Sequence, residues 1–132
     1  MIKTITRSLH ILNKPNKLPH AWTTSLDLKN CNNKKIKDSK VIKDYVFQLC
    51  DLIELKQTGA CQIYNFGVDD NPEYSMTQLI EYSSNITLHF SNDNSGYLDI
   101  FSSKKYDPIE MVNFTKKFFE SNSVVFRSAC RY

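Results

Sequence analysis

Two helices, each apolar on one side only and each set among strand-like segments, constrain this chain more than any other feature. Asp38 or Ser39 caps the first, whose apolar face is Val41, Ile42, Tyr45, Val46, Leu49, Cys50 and Ile53; three- and four-residue steps of this kind mark one side of a helix. Lys56 suits the negative end of its dipole, and Gly59 is read as its stop. The second helix opens at Asp107-Pro108, with proline at its first position, and runs to about Ser121. Ile109, Met111, Val112, Phe118 and Phe119 give it one apolar side. Strand patterns cover 22–28, 61–66, 77–82, 85–90, 97–101 and 124–129, and the pair 85–90 and 97–101 reads as a hairpin whose loop ends at Gly96. The Asn-rich stretch to Lys37 reads as a loop, 67–72 as a turn, and 1–19, punctuated by Pro15 and Pro19, as an N-terminal arm or edge segment. Two helices that each need one apolar cover predict an α+β, two-layer sandwich, an antiparallel sheet with two helices on one face. The other sheet face is left for a ligand or a second subunit.

At 132 residues the chain is expected to form a single domain over 1–132 with one core. Hydrophobic residues make up 41%, charged residues 23%, and mean hydropathy is −0.43, which excludes a disordered tail and a collagen-like fibre. No apolar run approaches the roughly 18–20 residues of a membrane helix, and the first residues lack the apolar stretch of a secretory signal. A cytoplasmic location is the expectation, with no membrane partner. The net charge of +3 is too small to argue for nucleic acid. Lys34, Lys35, Lys37 and Lys40 interleave with Asn30, Asn32, Asn33 and Asp38 and have no aromatic beside them to stack bases, so they read as solvated surface. Cys31, Cys50, Cys61 and Cys130 form no CxxC pair, and His10, His20 and His89 are not spaced as zinc ligands. Free thiols and no metal are expected, with Cys50 and Cys61 in the core.

Chemistry concentrates on the hairpin. Ile86, Leu88 and Phe90 share one face of its first strand, and Thr87 and His89 share the other; in its partner Leu98 and Ile100 oppose Tyr97, Asp99 and Phe101. One face is thus apolar, and the other carries a hydroxyl, an imidazole, a carboxylate and two aromatics. Ser83-Ser84 immediately precedes the hairpin. There is no nucleophile elbow, phosphate-binding glycine loop or carboxylate pair. Spacing alone therefore leaves a hydrogen-bonded structural histidine and a catalytic one both open.

The same stretch resembles the prokaryotic S-adenosylmethionine decarboxylases. Their core motif runs Glu-Ser-His, two or three residues, His, then a hairpin ending Val-Asp-Val-Phe-Thr-Cys-Gly. Here Ser83-Ser84-Asn85-Ile86-Thr87-Leu88-His89 and Leu98-Asp99-Ile100-Phe101-Ser102-Ser103-Lys104 occupy those places. Upstream, Leu26-Asp27-Leu28-Lys29-Asn30-Cys31 is similar to the family's opening Val-Asp-Leu-Tyr-Gly-Cys, and the Asp107-Pro108 helix and last strand complete the order. The resemblance spans roughly residue 20 to the C-terminus and lies in element order and the Ser-to-His step more than in literal identity.

The resemblance implies a pyruvoyl-dependent decarboxylase. In that family a serine hydroxyl attacks the preceding carbonyl, and the resulting ester eliminates to leave an N-terminal pyruvoyl group whose carbonyl captures the substrate amine. By position Ser84 is the pyruvoyl precursor, with the cut between Ser83 and Ser84, and His89 assists self-processing. Ser103 occupies the place of the cysteine that protonates the decarboxylated carbon. Ser83 and Asn85 replace the family's glutamate and first histidine, and Glu81 is close enough to stand in for the former. Phe66 is a candidate to stack on an adenine ring, or simply a core-packing residue; Asp69, Asp70 and Glu73 form an acidic patch that suits a sulfonium or a diamine, or simply a solvated turn. The implied substrate is S-adenosylmethionine, in spermidine synthesis, or another amino acid such as ornithine or arginine; the implied assembly is a homodimer. Two other readings stay open: an uncut relative that breaks S-adenosylmethionine without a pyruvoyl group, and a regulatory homologue with no activity.

Overall fold

A computed structural model describes the backbone of residues 2–6 and the whole of residues 18–132. Its strands are β1 (Ile2–Thr6), β2 (Ala21–Lys29), β3 (Gln62–Asn65), β4 (Tyr74–Ile80), β5 (Ser84–Phe90), β6 (Gly96–Ser102) and β7 (Ser123–Arg131). The helices are α1 (Asn33–Ile36), α2 (Ser39–Leu52) and α3 (Pro108–Phe118). The strands form one sheet in the order β1-β7-β2-β6-β5-β4-β3. Six of them pair antiparallel, and β1 adds to the edge of β7 in parallel. The expected antiparallel sandwich is therefore present with one parallel edge strand. Of the 1–19 arm, 2–6 is that edge strand, whereas residue 1 and residues 7–17, Pro15 included, lie outside the described residues.

Alternation decides which face is covered. Leu26, Leu28, Met76, Ile80, Ile86, Leu88, Leu98, Ile100, Val124 and Phe126 point to one side and are buried with Ile42, Tyr45, Val46 and Leu49 of α2 and Met111 and Val112 of α3. Tyr45 is fully buried among Phe114, Phe118 and Phe119, and its hydroxyl bonds Thr115 Oγ1 at 2.7 Å. At the hairpin's far end Gly96 is required by packing: a Cβ there would lie 2.9 Å from the Phe90 ring, which covers it. Among the described residues every buried side-chain nitrogen or oxygen has a hydrogen-bond partner.

Both long helices start as expected. Asp38 Oδ1 accepts from the Lys40 and Val41 amides at 3.0 and 3.4 Å, and Asp107 Oδ1 from Ile109 and Glu110 at 2.9 and 3.3 Å. Asp38→Ala should lower stability by about 1 kcal/mol, read as a shift of the urea midpoint without a change of slope.

The helix ends differ from expectation. Helix α2 stops at Leu52, well before Gly59, because Glu54 takes a left-handed conformation (φ 57°). The Leu55 and Glu54 amides then donate to the Cys50 and Asp51 carbonyls, closing the last turn. Helix α3 ends the same way at Glu120 (φ 53°), short of Ser121. Lys56 consequently lies beyond α2 and serves the site instead. The Asn-rich loop contains the one-turn helix α1, capped by Asn32, whose side chain accepts from the Lys35 amide at 3.1 Å. Cys50 is buried, but Cys61 is only partly so. Strand β4 covers Tyr74–Ile80, not 77–82, which frees Glu81, Tyr82 and Ser83 to form a turn.

Candidate active site

The turn between β4 and β5 is the most unusual piece of backbone in the hairpin region. Ile80 pairs with Ser84, so only Glu81, Tyr82 and Ser83 make the reversal. Tyr82 and Ser83 both adopt positive φ, at 62° and 54°. Each such residue without glycine's freedom costs on the order of 1–3 kcal/mol, and the strain falls directly beside the Ser83–Ser84 peptide bond.

Ser84, the first residue of β5, faces the helices and is 2% exposed. Its Oγ lies 3.2 Å from the Tyr82 carbonyl oxygen and 3.3 Å from Ser102 Oγ, and it accepts from the Ser103 amide at 3.1 Å. Ser103 Oγ makes a close contact with the Tyr82 carbonyl oxygen. The β5–β6 register thus brings Ser84 and Ser103, separated by 19 residues in the chain, onto one carbonyl. A groove of about 710 Å³ opens beside them, lined by Thr58, Leu79, Glu81, Tyr82, Asn85 and Phe101 together with Ser83 and Ser84. Leu79, Asn85 and Phe101 belong to the uncovered sheet face, so the groove opens onto that side.

Glu81 is fixed by the loop after α2. Its carboxylate accepts from the Lys56 amide at 2.9 Å, and its own amide donates to the Lys56 carbonyl at 2.9 Å. It lines the groove two residues before Ser83. Lys104 Nζ lies 5.7 Å from the Tyr82 ring centroid and donates to the Glu54 carbonyl at 3.0 Å.

His89 lies elsewhere. It is five residues beyond Ser84 on β5 and on the opposite, open face. At about 3.3 Å per residue the two are separated by about 16 Å along the strand. Within one chain the structure does not bring His89 to Ser84. What it places beside His89 is Ser75, directly across from it in β4, with Ser75 Oγ 2.8 Å from His89 Nδ1. Ser75 carries no signal in the local sequence, because only the register reveals it. Tyr97 flanks His89 from β6 and accepts from Lys29 Nζ at 3.3 Å, and Asp99 accepts from Ser25 Oγ at 2.5 Å.

Phe66 is also at the His89 end. It follows β3, its amide donates to the Glu73 carbonyl at 2.8 Å, and its side chain is 74% exposed. It is not in the groove beside Ser84. Glu73 accepts from the Asn92 amide at 3.2 Å, while Asp69 and Asp70 are exposed. Burial pushes the Cys31 and Cys50 thiols up to about 11. Among the described residues no three His, Cys, Asp or Glu side chains stand together as a metal site, and no helix is long and apolar enough to cross a membrane.

In fold, the molecule is a sandwich of the adenosylmethionine decarboxylase type. The crystal structure of the adenosylmethionine decarboxylase from Aquifex aeolicus VF5 superposes with a TM-score of 0.70, covering 86% of this chain and 91% of that one at 13% identity. The family model for S-adenosylmethionine decarboxylase matches residues 22–132, and the chain belongs to that family. No curated protein sequence matches it.

Proposed function

We propose that the protein is a pyruvoyl-dependent decarboxylase of S-adenosylmethionine, or of a related amino acid such as ornithine or arginine, activated by cleavage between Ser83 and Ser84. The observation that carries this reading is the buried Ser84 hydroxyl held beside a strained turn, next to the residue at the family's proton-donor position. The residues present fit the group. Ser84 supplies its carbon atoms, water supplies its keto oxygen, and the groove gives it access to a substrate. When formed, the pyruvoyl carbonyl captures the substrate amine and draws off the electron pair left by departing carbon dioxide.

The chain's own residues divide the remaining work. Ser84 Oγ attacks the Ser83 carbonyl carbon, the Ser83–Ser84 amide bond breaks, and the hydroxyl proton ends on the Ser84 nitrogen. Loss of the Ser84 α-proton then expels the Ser83 carboxylate from Cβ, taking Oγ with it. The dehydroalanine left behind tautomerises to an imine, and water hydrolyses it, releasing the Ser84 nitrogen as ammonia and leaving the keto oxygen on Cα. Relief of the left-handed turn favours the cut over the intact chain. Ser103 would give a proton to the product carbon, a weaker acid than the thiol it replaces. Ser103→Cys should therefore raise the turnover of the processed enzyme about tenfold or more, measured as carbon dioxide released from carboxyl-labelled substrate.

His89 takes part through a second copy. A homodimer closing over the open face about a two-fold axis would carry the His89 end of one sheet to the Ser84 end of the other. Leu79, Tyr82 and Phe101 at one end and Tyr64, Phe66 and Tyr97 at the other are exposed aromatic and aliphatic side chains suited to such a contact. The same closure would take Phe66 to the groove as a stacking partner for adenine, with Glu81 on its rim. Neither His89→Ala nor Ser84→Ala chains should cleave alone, but co-expressed they should yield cut His89→Ala chains, read by mass. Rapid cleavage of His89→Ala by itself would remove this role.

The product would supply the aminopropyl donor of spermidine synthesis, in the cytoplasm. The test is carbon dioxide release from carboxyl-labelled S-adenosylmethionine, ornithine and arginine in parallel. Breakdown of S-adenosylmethionine by an uncut chain without carbon dioxide release would replace this reading with a lyase. Binding without turnover would indicate a regulatory homologue.

A further inference from the structure

The core-facing side of β6 reads Gly96, Leu98, Ile100, Ser102, and the last of these breaks an apolar row although its exposure is 0%. A buried hydroxyl in such a row needs polar partners, and its partners here centre on the site. Ser102 Oγ lies 2.5 Å from the Lys104 carbonyl oxygen, to which it donates, and accepts from the Lys104 amide at 3.0 Å. It also lies 3.3 Å from Ser84 Oγ.

These contacts limit where each hydroxyl hydrogen can go. Ser102 gives its own proton to Lys104, so towards Ser84 it can only accept. Ser84 has one proton and two acceptors, the Tyr82 carbonyl and Ser102 Oγ. The Tyr82 carbonyl already meets the Ser103 hydroxyl, which has a proton to give it. Given to Tyr82, the Ser84 proton shares that oxygen with Ser103, whereas given to Ser102 it meets a lone pair of its own. The Ser103 amide occupies one Ser84 lone pair at 3.1 Å. One lone pair remains for the neighbouring carbonyl carbon of Ser83.

We propose that Ser102 is a positioning residue for self-processing: by accepting the Ser84 proton it holds the Ser84 hydroxyl in the rotamer that leaves its nucleophilic lone pair free. This rests on Ser84 being the cleaved serine. Without Ser102 the hydroxyl would turn to the Tyr82 carbonyl, on the turn itself, and its attack would be misdirected.

The experiment follows cleavage by intact mass in wild type, Ser102→Ala, Ser102→Thr and Ser102→Val, with thermal melting of each. Thr and Val share one shape, so their difference reports the hydroxyl even if the added methyl perturbs packing or Ser102→Ala does not fold. Loss of one neutral hydrogen bond predicts cleavage about tenfold slower in Ala than in wild type and in Val than in Thr. Thr should cleave at nearly the wild-type rate. Equal rates in Thr and Val, or slowing of Ala and Thr alike, would overturn the positioning role while leaving Ser84 cleavage intact. A wild-type chain that never cleaves would overturn both.

Discussion

Ser84→Ala should leave the chain whole and abolish carbon dioxide release, a loss of at least about a thousandfold. Removing the Oγ removes both the nucleophile for the acyl shift and the atom whose departure creates the carbonyl. No neighbouring group can replace it. Ser83 Oγ stands on the wrong side of the bond, and Ser103 Oγ is directed to the Tyr82 carbonyl, one residue too early. The fold should survive, because alanine fits the space and β5 begins with backbone pairing to Ile80. The Ser103 amide loses its partner, which costs about 1–3 kcal/mol. A single cooperative melt, lowered by no more than this cost implies, with no cleavage would separate chemistry from folding. Carbon dioxide release by folded, uncut Ser84→Ala would remove Ser84 from the mechanism.

The largest stability effect is expected in the aromatic cluster under the sheet. Phe119, the cap of α3, is fully buried and lies 4.7 Å from Tyr45, 5.0 Å from Phe118 and 5.0 Å from Phe90, centroid to centroid. It joins α2, α3 and the far end of the hairpin in one contact set. Its carbonyl also accepts from the Asn32 amide at 2.7 Å, anchoring α1. Phe119→Ala removes the ring and leaves a cavity that three rigid rings cannot fill, at a cost of about 3–5 kcal/mol. Chemical denaturation should show this as a large fall in midpoint. A loss below about 1 kcal/mol would mean that the cluster is loosely packed, contrary to the geometry.

Much of this architecture was visible in the residues, and the reason is physical. The apolar side of α2 and the alternation of β5 and β6 are local consequences of burial on one face, and helix starts carry their own side-chain caps. What was hidden depends on distant partners or on unusual backbone. Glu54 and Glu120 end helices in a conformation for which glycine is the ordinary choice, so the residues alone favour Gly59 as the stop. The bounds of β4 are fixed by pairing with β3 and β5, and alternation within 77–82 extends into residues that the turn claims. The chain shows Ser84 and Ser103 as separate hydroxyls; the hairpin register makes them neighbours. The same register separates His89 from Ser84, although the resemblance implies a part for it in self-processing, and gives it Ser75 instead.

A pyruvoyl group can form only if the wild-type chain cuts itself before Ser84. Intact mass of the purified protein, taken before and after treatment with a carbonyl-directed hydrazine, answers this directly. The expected result is two fragments, 1–83 and 84–132, with only the second gaining hydrazine mass at its N-terminus. A single unreactive chain of 15.4 kDa after prolonged incubation would contradict the account.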